Sequence, residues 1–309
     1  MGAMMNKNPD DLHASVLLNE VIENLSLKQG GIYVDGTLGI GGHSKKILEL
    51  IGSDGKLVGI DRDPQAIELA KIRLKDFSKQ CLFFHGNFHG IKEILKELKI
   101  SFVDGILLDL GVSSFQIDNA ERGFSFRKDG PLDMRMNSED GISAYDVVNS
   151  YSERELAQII RDYGEDRMAK RIARSIVYHR NLDTIETTKQ LSMAVLKAMP
   201  YAKKPKGERI HPATRTFQAI RIAVNRELEA VEKFLEDAVD CLKPGGRLTI
   251  IAFHSLEDRI VKLKFRELKK ENKVNLIVKK PIFPTEEEMA HNGRARSARL
   301  RVVEKIICD

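Results

Sequence analysis

The chain has 309 residues, of which 42% are hydrophobic and 31% are charged, as is typical of a soluble globular protein with one or two domains. No apolar run reaches the roughly 18 residues of a membrane span, and no basic stretch followed by an apolar run marks a secretory signal. The three cysteines, Cys81, Cys241 and Cys308, form no CxxC pair, which favours a reducing, cytoplasmic setting over a disulfide scaffold.

The net charge of +5 is unevenly distributed. Residues 1–149 hold 17 Lys and Arg against 22 Asp and Glu, whereas residues 150–210 hold 13 against 8 and residues 259–309 hold 14 against 7. Solvated helix faces would explain much of this excess. A polyanionic partner such as RNA is the more specific interpretation.

A glycine-rich turn between a strand and a helix dominates the N-terminal part. Residues 12–27 have the apolar spacing of an amphipathic helix, Ile32–Asp35 form a short predicted strand, and a helical pattern begins near Ser44. The turn holds Gly36, Gly39, Gly41 and Gly42. This layout lets a nucleotide-like ligand approach backbone N–H groups at a helix N-terminus. An ordinary tight turn is the alternative, although four glycines in seven residues exceed what a turn requires.

Acidic and polar residues end four predicted strands. Asp35 ends the first, Asp61 ends Lys56–Asp61, Asn87 and Phe88 follow Cys81–Phe84, and Asp109 ends Val103–Asp109. Strands alternating with helices predict a parallel α/β sheet, in which ligands bind at the carboxyl ends of the strands. Asp61 lies about where a ribose-binding carboxylate belongs. The four strand ends therefore predict one ligand site.

The α/β alternation then stops. Residues 113–134 have a loop composition but carry Phe115, Phe124 and Phe126, which predicts an ordered lid or wall. Residues 141–200 read as helices, with a capping box at Ser152 and Glu155, and residues 201–209 as a basic linker. One long amphipathic helix is predicted from Phe217 to Leu242, followed by a fifth strand, Arg247–Phe253, and two more over 274–278 and 300–307. Because a βαβ crossover takes about 30 residues, the stretch from Asp109 to Arg247 predicts an inserted helical subdomain.

These elements predict an α/β fold with a mostly parallel seven-stranded sheet and an all-helical insertion. The predicted domains are 10–112 (first part of the sheet domain), 113–205 (helical insertion, for substrate recognition) and 206–309 (second part). The dinucleotide pattern G-x-G-x-x-G fails at Ser44, which is evidence against NAD. Asp35-Gly-Thr-Leu-Gly-Ile-Gly41 instead resembles motif I of class I (Rossmann-like) S-adenosylmethionine methyltransferases, with Thr37 in place of the first glycine.

Longer motifs extend the resemblance from about His13 to Glu304. They are Asp35–Ser44, Asp61–Ala66, Leu107–Ser114, Glu121–Phe126, Gly130–Arg135, His211–Gln218 and Phe253–Arg259. Together they resemble the RsmH (MraW) family, bacterial enzymes that methylate N4 of a decoding-centre cytidine in 16S ribosomal RNA. The resemblance implies S-adenosylmethionine as cofactor and 16S rRNA, within the small ribosomal subunit, as partner, with no membrane and no metal. Carried over by position, it implies the cofactor contacts Gly41, Gly42, His43, Asp61, Phe88, Asp109 and Gln116.

Residue chemistry agrees with most of these contacts. Gly41 and Gly42 would let the backbone approach the methionine part, Asp61 can accept hydrogen bonds from ribose hydroxyls, and Phe88 offers a face for adenine. Asp109 is the candidate catalytic residue, as an acceptor for the N–H groups of the attacking amine, with the Leu110 carbonyl as a second candidate. The basic insertion and tail are the expected RNA platform.

The sequence is also compatible with other functions and sites. A dinucleotide oxidoreductase and a non-catalytic RNA-binding assembly factor are the competing functions. Cys81, His85 and His89 have a zinc-like spacing without a fourth ligand, and His254–Asp258 holds hydrolase residue types without a nucleophile elbow. Arg127, Asp133, Arg135, His211 and Arg215 could contact substrate, or could form local salt bridges and helix caps.

Overall fold

The computed structural model describes residues 15–199 and 211–307. The predicted start of the first helix, the basic linker over 201–209 and Cys308 lie outside these residues. The helices are α1 (Leu18–Leu25), α2 (Gly42–Ile51), α3 (Pro64–Arg73), α4 (Ile91–Glu97), α5 (Ser114–Asp118), α6 (Ala144–Ser150), α7 (Glu153–Gly164), α8 (Ala169–Leu182), α9 (Thr188–Ala198), α10 (Thr214–Asn225), α11 (Glu227–Asp237), α12 (Ser255–Lys270) and α13 (Glu286–His291). The strands are β1 (Ile32–Asp35), β2 (Lys56–Asp61), β3 (Cys81–His85), β4 (Val103–Asp109), β5 (Leu242–Ala252), β6 (Val274–Leu276) and β7 (Arg299–Lys305).

The chain divides into two compact units. The described residues up to Gly111 and from Leu228 onward form the sheet unit, and Val112–Glu227 form the helical unit. The helical unit therefore ends 22 residues beyond the predicted boundary at residue 205, because α10 packs against α7 and α6 and so belongs with the helices.

The sheet unit contains one seven-stranded sheet in the order β3-β2-β1-β4-β5-β7-β6. The first five strands in this order are parallel, and β7 runs antiparallel to both of its neighbours. The predicted fold class, a mostly parallel seven-stranded α/β sheet, is confirmed. Strand order reverses between β1 and β4, and this switch point is where doubly wound sheets bind ligands.

Both faces of the sheet are covered. Alternate residues of β1 and β4 point to opposite sides, so that Val34, Ile106 and Leu108 belong to one buried cluster while Tyr33 and Leu107 belong to the other. Consequently β4 is buried along its whole length except at Asp109. Continuous apolar strands of this kind are expected in a parallel sheet covered by helices on both sides.

The helical unit has a core of its own. Leu156, Ile160, Ile172, Ile176 and Leu191 are fully buried within it, on α7, α8 and α9. The predicted capping box at the start of α7 is present, because the Ser152 hydroxyl accepts from the Glu155 N–H and the Glu155 carboxylate accepts from the Ser152 N–H. Phe124 and Phe126 of the predicted wall segment pack against this core.

The single long helix predicted over 217–242 is wrong. It is two helices, α10 and α11, separated at Arg226, which adopts a left-handed conformation with φ 49°. The adjacent Asn225 explains the break: its side chain donates to the Met134 carbonyl (2.8 Å) and accepts from the Met136 N–H (2.8 Å). Periodicity alone did not reveal the break, since apolar spacing continues across it.

Strand β5 begins five residues earlier than predicted. Leu242 pairs with Val103 and Arg247 with Gly105, so residues 243–246 bulge out of the ladder, with Gly245 at φ 74°. The Lys243 ammonium donates to the Asp104 carboxylate (2.7 Å) from this bulge. The segment between the predicted helix and the predicted fifth strand is therefore a bulge within the strand.

Among the described residues, none of the helices has the length and apolar character that crossing a bilayer demands.

Candidate functional site

The glycine turn between β1 and α2 is fixed at both ends by Asp35. Its carboxylate accepts from the Thr37 N–H (3.2 Å) and from the Ser44 hydroxyl (2.6 Å), and the residue is buried. Burial raises the pKa of Asp35 to about 6, against the lowering effect of these two hydrogen bonds. Since both carboxylate oxygens already accept from the protein, we assign Asp35 to shaping the turn.

The turn's glycines are required by the protein's own packing. Gly41 has φ 79°, and a Cβ there would lie 3.1 Å from Leu74 Cδ1. A Cβ on Gly42 would collide with the Ser15 hydroxyl, and one on Gly36 would lie 2.5 Å from Leu108 Cδ2. The contacts that a Cβ would make within the protein are enough to explain why glycine is needed here. Close approach of a ligand to Gly41 and Gly42 therefore stays a prediction.

Asp61 lies at the carboxyl end of β2 and closes the turn from the other side. One oxygen accepts from the Gly39 N–H (2.7 Å) and the other from the Asp63 N–H (2.9 Å). Burial raises its pKa to about 6, although the two hydrogen bonds oppose this. A carboxylate offers about four lone-pair sites, so capacity remains for two hydroxyl donors. A ribose diol is a ligand group of that kind.

Phe88 follows β3 and contributes a half-buried ring. Its ring meets the buried Phe234 edge to face, with centroids 5.6 Å apart at 88°. The turn is close by, since a Cβ on Gly36 would lie 3.2 Å from Phe88 Cβ. An aromatic ring fixed by a buried neighbour can pack against a planar heterocycle such as adenine.

Asp109, at the end of β4, is bound to the turn through Thr37. The Asp109 N–H donates to the Thr37 hydroxyl (2.6 Å), a contact that the glycine usual at this motif position could not make. Within the part of the chain that the structure describes, the buried oxygen Oδ1 of Asp109 has no hydrogen-bond partner. Burial, and then the negative charges of Asp35 and Glu257, raise the pKa of Asp109 well above its usual range.

His43 meets the same carboxyl group. Its Nε2 lies 3.0 Å from the Val16 carbonyl and its Nδ1 lies 3.7 Å from Oδ2 of Asp109. Because a carbonyl can only accept, Nε2 carries a proton. The structure thus brings together six of the seven predicted site residues within the sheet unit.

The seventh, Gln116, belongs to the helical unit. It is buried, and its side-chain oxygen accepts from the Ser113 N–H (3.0 Å) to complete a capping box at the start of α5. This accounts for a polar residue inside the segment, while a cofactor contact stays a prediction of the resemblance. Asp133 and Arg135 form a local ion pair (2.7 Å), as one of the two interpretations of that segment held.

The sequence analysis did not identify Glu257 as a residue of this site. This residue is 1% exposed, accepts from the Phe253 N–H (2.8 Å) and forms a capping box with His254 at the start of α12. Its charge contributes to the raised pKa of Asp109. The His-x-x-Glu spacing after a strand was the available signal, and it marks a helix start here and no hydrolase triad.

The charge of the site limits its ligands. Asp35, Asp61, Asp109 and Glu257 concentrate acidic groups around the turn. Burial first, and then repulsion by neighbouring carboxylates, raises the pKa values of Asp61 and Asp109. Such a site repels a pyrophosphate and favours a cationic ligand that carries hydroxyls and an aromatic ring. The donor set therefore fits S-adenosylmethionine, a sulfonium nucleoside, better than it fits a dinucleotide.

Comparison with known proteins agrees with this interpretation. Residues 10–306 match the model of the MraW methylase family. Proteins named ribosomal RNA small subunit methyltransferase H from Clostridium botulinum (strain Kyoto) and Clostridioides difficile (strain 630) are 53% and 51% identical to the chain. Each match covers 95% of this chain and 99% of the relative. The chain therefore belongs to the MraW methylase family of S-adenosylmethionine-dependent methyltransferases.

Proposed function

We propose that the chain transfers a methyl group from S-adenosylmethionine to the N4 exocyclic amine of a decoding-centre cytidine in 16S ribosomal RNA. The names of its relatives, over almost the whole chain, support a small-subunit ribosomal RNA as substrate. The observation that carries the chemistry is Oδ1 of Asp109, a buried carboxylate oxygen that lacks a hydrogen-bond partner among the described residues. Such an oxygen is well suited to accept a hydrogen bond from an amine.

The cofactor supplies an electrophilic methyl carbon bonded to sulfur. In the transfer a C–N bond forms, the C–S bond breaks and N4 loses one proton. The protein's residues hold the reactants: Asp61 accepts from the ribose hydroxyls, Phe88 packs against the adenine, and the turn around Gly41 and Gly42 flanks the methionine part. Orientation of this kind accounts for much of the acceleration in reactions that join two bound molecules.

Asp109 would assist the amine. The lone pair of a cytosine N4 is delocalised into the ring, so an acceptor for its N–H groups makes it a better nucleophile. An ionised Asp109 can accept the hydrogen bond and then the proton, and its raised pKa makes it a stronger base than an exposed aspartate. The Leu110 carbonyl is the other acceptor at this strand end. The base must be unpaired or flipped to reach it.

The helical unit is the proposed RNA platform. One side of α8 exposes Lys170, Arg171 and Arg174, preceded by the exposed Arg167. Arg174 is paired only loosely with Glu153 (3.5 Å), with both side chains exposed. Exposed guanidinium and ammonium groups at helical spacing can contact successive phosphates. We therefore assign substrate recognition to the helical unit, which includes the predicted insertion 113–205, and the chemistry to the sheet unit, in the cytoplasm and without a metal.

The decisive test is mass mapping of 16S rRNA from a strain that lacks the gene, with and without the wild-type chain restored. We expect N4-methylcytidine at one decoding-centre position to disappear and to return on restoration. An unchanged nucleotide in the deletion strain would overturn the proposal. If labelled NAD bound and S-adenosylmethionine did not, the oxidoreductase interpretation would replace it. If small subunits were bound but never methylated, the assembly-factor interpretation would replace the proposed function.

A further inference from the structure

The helical unit carries a stacked pair of rings outside the residues assigned above. The Phe126 and His211 rings have centroids 4.5 Å apart and planes inclined by 31°, a tilted stacking arrangement. Phe126 also contacts Phe217 edge to face, with ring centroids 4.9 Å apart and planes inclined by 74°. Phe217 is 5% exposed and belongs to the core of the unit. The Phe126–His211 surface, defined by these two rings, is thus anchored on a buried ring.

His211 is fixed in place yet exposed to solvent. Its Nδ1 accepts from the Ala213 N–H (3.2 Å), and this hydrogen bond fixes the orientation of the ring. One face of the ring lies against Phe126. An exposed imidazole held by a hydrogen bond and by stacking has little side-chain conformational entropy left to lose. A further planar group can therefore stack on it at little entropic cost.

Cationic groups lie near this surface. Arg127 and Lys128 follow Phe126 directly and are exposed. Arg215, one helical turn beyond His211, is exposed and donates to the Glu165 carbonyl (3.4 Å), which lies in the turn that leads to α8. The basic side of α8 starts immediately after that turn. Planar rings and cations therefore occur together, a combination typical of single-stranded nucleic-acid binding.

We propose that the Phe126–His211 surface is a stacking site for one unpaired base of the RNA substrate, with the flanking phosphates held by Arg215 and the basic side of α8. The proposal rests on the proposed function for the identity of the RNA. Base stacking on aromatic rings is the common way in which proteins recognise unstacked nucleotides in RNA. The surface selects for an unpaired conformation, because a base inside a duplex has no free face.

Steady-state kinetics with unmethylated small ribosomal subunits tests the site. His211→Ala and His211→Gln remove the ring, and we expect them to raise KM for subunits about tenfold, as loss of one stacked base does, with less than a twofold change in kcat. His211→Tyr keeps a ring and should recover most of the affinity. Tyr145→Ala, which removes an aromatic residue that is 40% exposed on α6, is the matched control.

The outcomes separate the two proposals. If wild-type protein methylates subunits and the Ala and Gln variants keep the wild-type KM, the stacking site is wrong and the proposed function stands. If wild-type protein does not methylate subunits, the proposed function fails before any variant is compared. A lower melting temperature in His211→Ala with an unchanged KM would show that the ring pair is structural only.

Fluorescence gives a second readout, because the chain contains no tryptophan. His211→Trp introduces a single indole into the proposed site, and a single-stranded cytidine-rich oligoribonucleotide serves as the probe. Stacking should quench the indole emission in a saturable way. Phe102→Trp, at a residue 52% exposed in the sheet unit, is the control and should show little quenching. Equal quenching in both variants, or none in His211→Trp, would overturn the stacking site.

Discussion

The two units differ in the surroundings of the charged residues to which we assign a function. The sheet unit holds carboxylates at its strand ends, where the pKa values of Asp35 and Asp61 are raised to about 6 and that of Asp109 lies well above its usual range. The helical unit buries the charged residues Arg122, Asp166 and Glu227, but the cations that we assign to RNA binding are exposed on α8. Burying a carboxylate costs stability, whereas an exposed cation costs almost none.

The difference follows from what each unit binds under our proposals. A small cationic cofactor must be enclosed and oriented, which requires acceptors fixed in a low-dielectric site. A long polyanion is held by many exposed charges and a few planar rings, each of modest effect. Changes in the sheet unit should therefore alter rate or cofactor affinity steeply, and changes in the helical unit should alter substrate affinity or local stability.

Asp109→Asn should have the largest effect. It removes the proposed proton acceptor while keeping size and shape, and we expect kcat to fall at least 100-fold, within the range lost with a general base. The affinity for S-adenosylmethionine, measured by calorimetry, should change only a few-fold. Full turnover with weakened cofactor binding would assign Asp109 to the cofactor and leave the Leu110 carbonyl as acceptor.

The pH profile sharpens this test. Only ionised Asp109 can accept a proton, so wild-type kcat should rise about tenfold per pH unit below its raised pKa and level off above it. The residual kcat of Asp109→Asn should not rise with pH over this range. Stability should move the other way: an acid whose folded pKa is raised destabilises the fold as pH rises past its unfolded value. At pH 8 the variant is therefore expected to melt no lower than wild type.

Asn225→Ala should be the largest stability change of the helical unit. It leaves the Met134 carbonyl and the Met136 N–H without their partner beside the break between α10 and α11. We expect a loss of about 1–3 kcal/mol in the free energy of unfolding, measured by urea denaturation. Asn225→Asp keeps the acceptor for Met136 and should lose less. A variant as stable as wild type would show that the break is fixed by Arg226 alone.

Much of this arrangement could be predicted from local patterns. The continuous apolar runs of β1, β2 and β4, each followed by an acidic residue, are typical of strands covered on both faces. They identify the ligand edge of the sheet, because parallel strands end together. The break at Arg226 could not be predicted, since it depends on Asn225 bonding to residues about 90 positions earlier. For the same reason the contact between Thr37 and Asp109 was invisible: the sequence shows a departure from a motif, and only the fold shows what the hydroxyl contacts.

Asp61→Asn tests the cofactor contact of the sheet unit. Ribose hydroxyls donate to an ionised carboxylate, so binding should hold the pKa of Asp61 below its value of about 6 in the free protein. Affinity for S-adenosylmethionine is then expected to be constant above pH 7 and to weaken as pH falls through 6. At pH 7.5 the variant should bind about tenfold more weakly, with a flat profile between pH 5 and 7. If the affinity of the variant depended on pH as steeply as that of wild type, the titrating group would be Asp35 or Asp109 and not Asp61.

Arg171→Ala should have the smallest effect. It tests whether the helical unit holds RNA through the exposed cations of α8. Arg171 is exposed on α8, so its loss removes at most one phosphate contact and no packing. KM for small subunits should rise only a few-fold, and the slope of log KM against log salt should fall by about one. Arg161→Ala on α7, whose guanidinium pairs with Asp162 (3.0 Å), is the matched control with the same loss of charge. If both variants changed KM and the salt slope equally, binding would depend on the net charge of the unit, and the basic side of α8 would have no special part in holding the RNA.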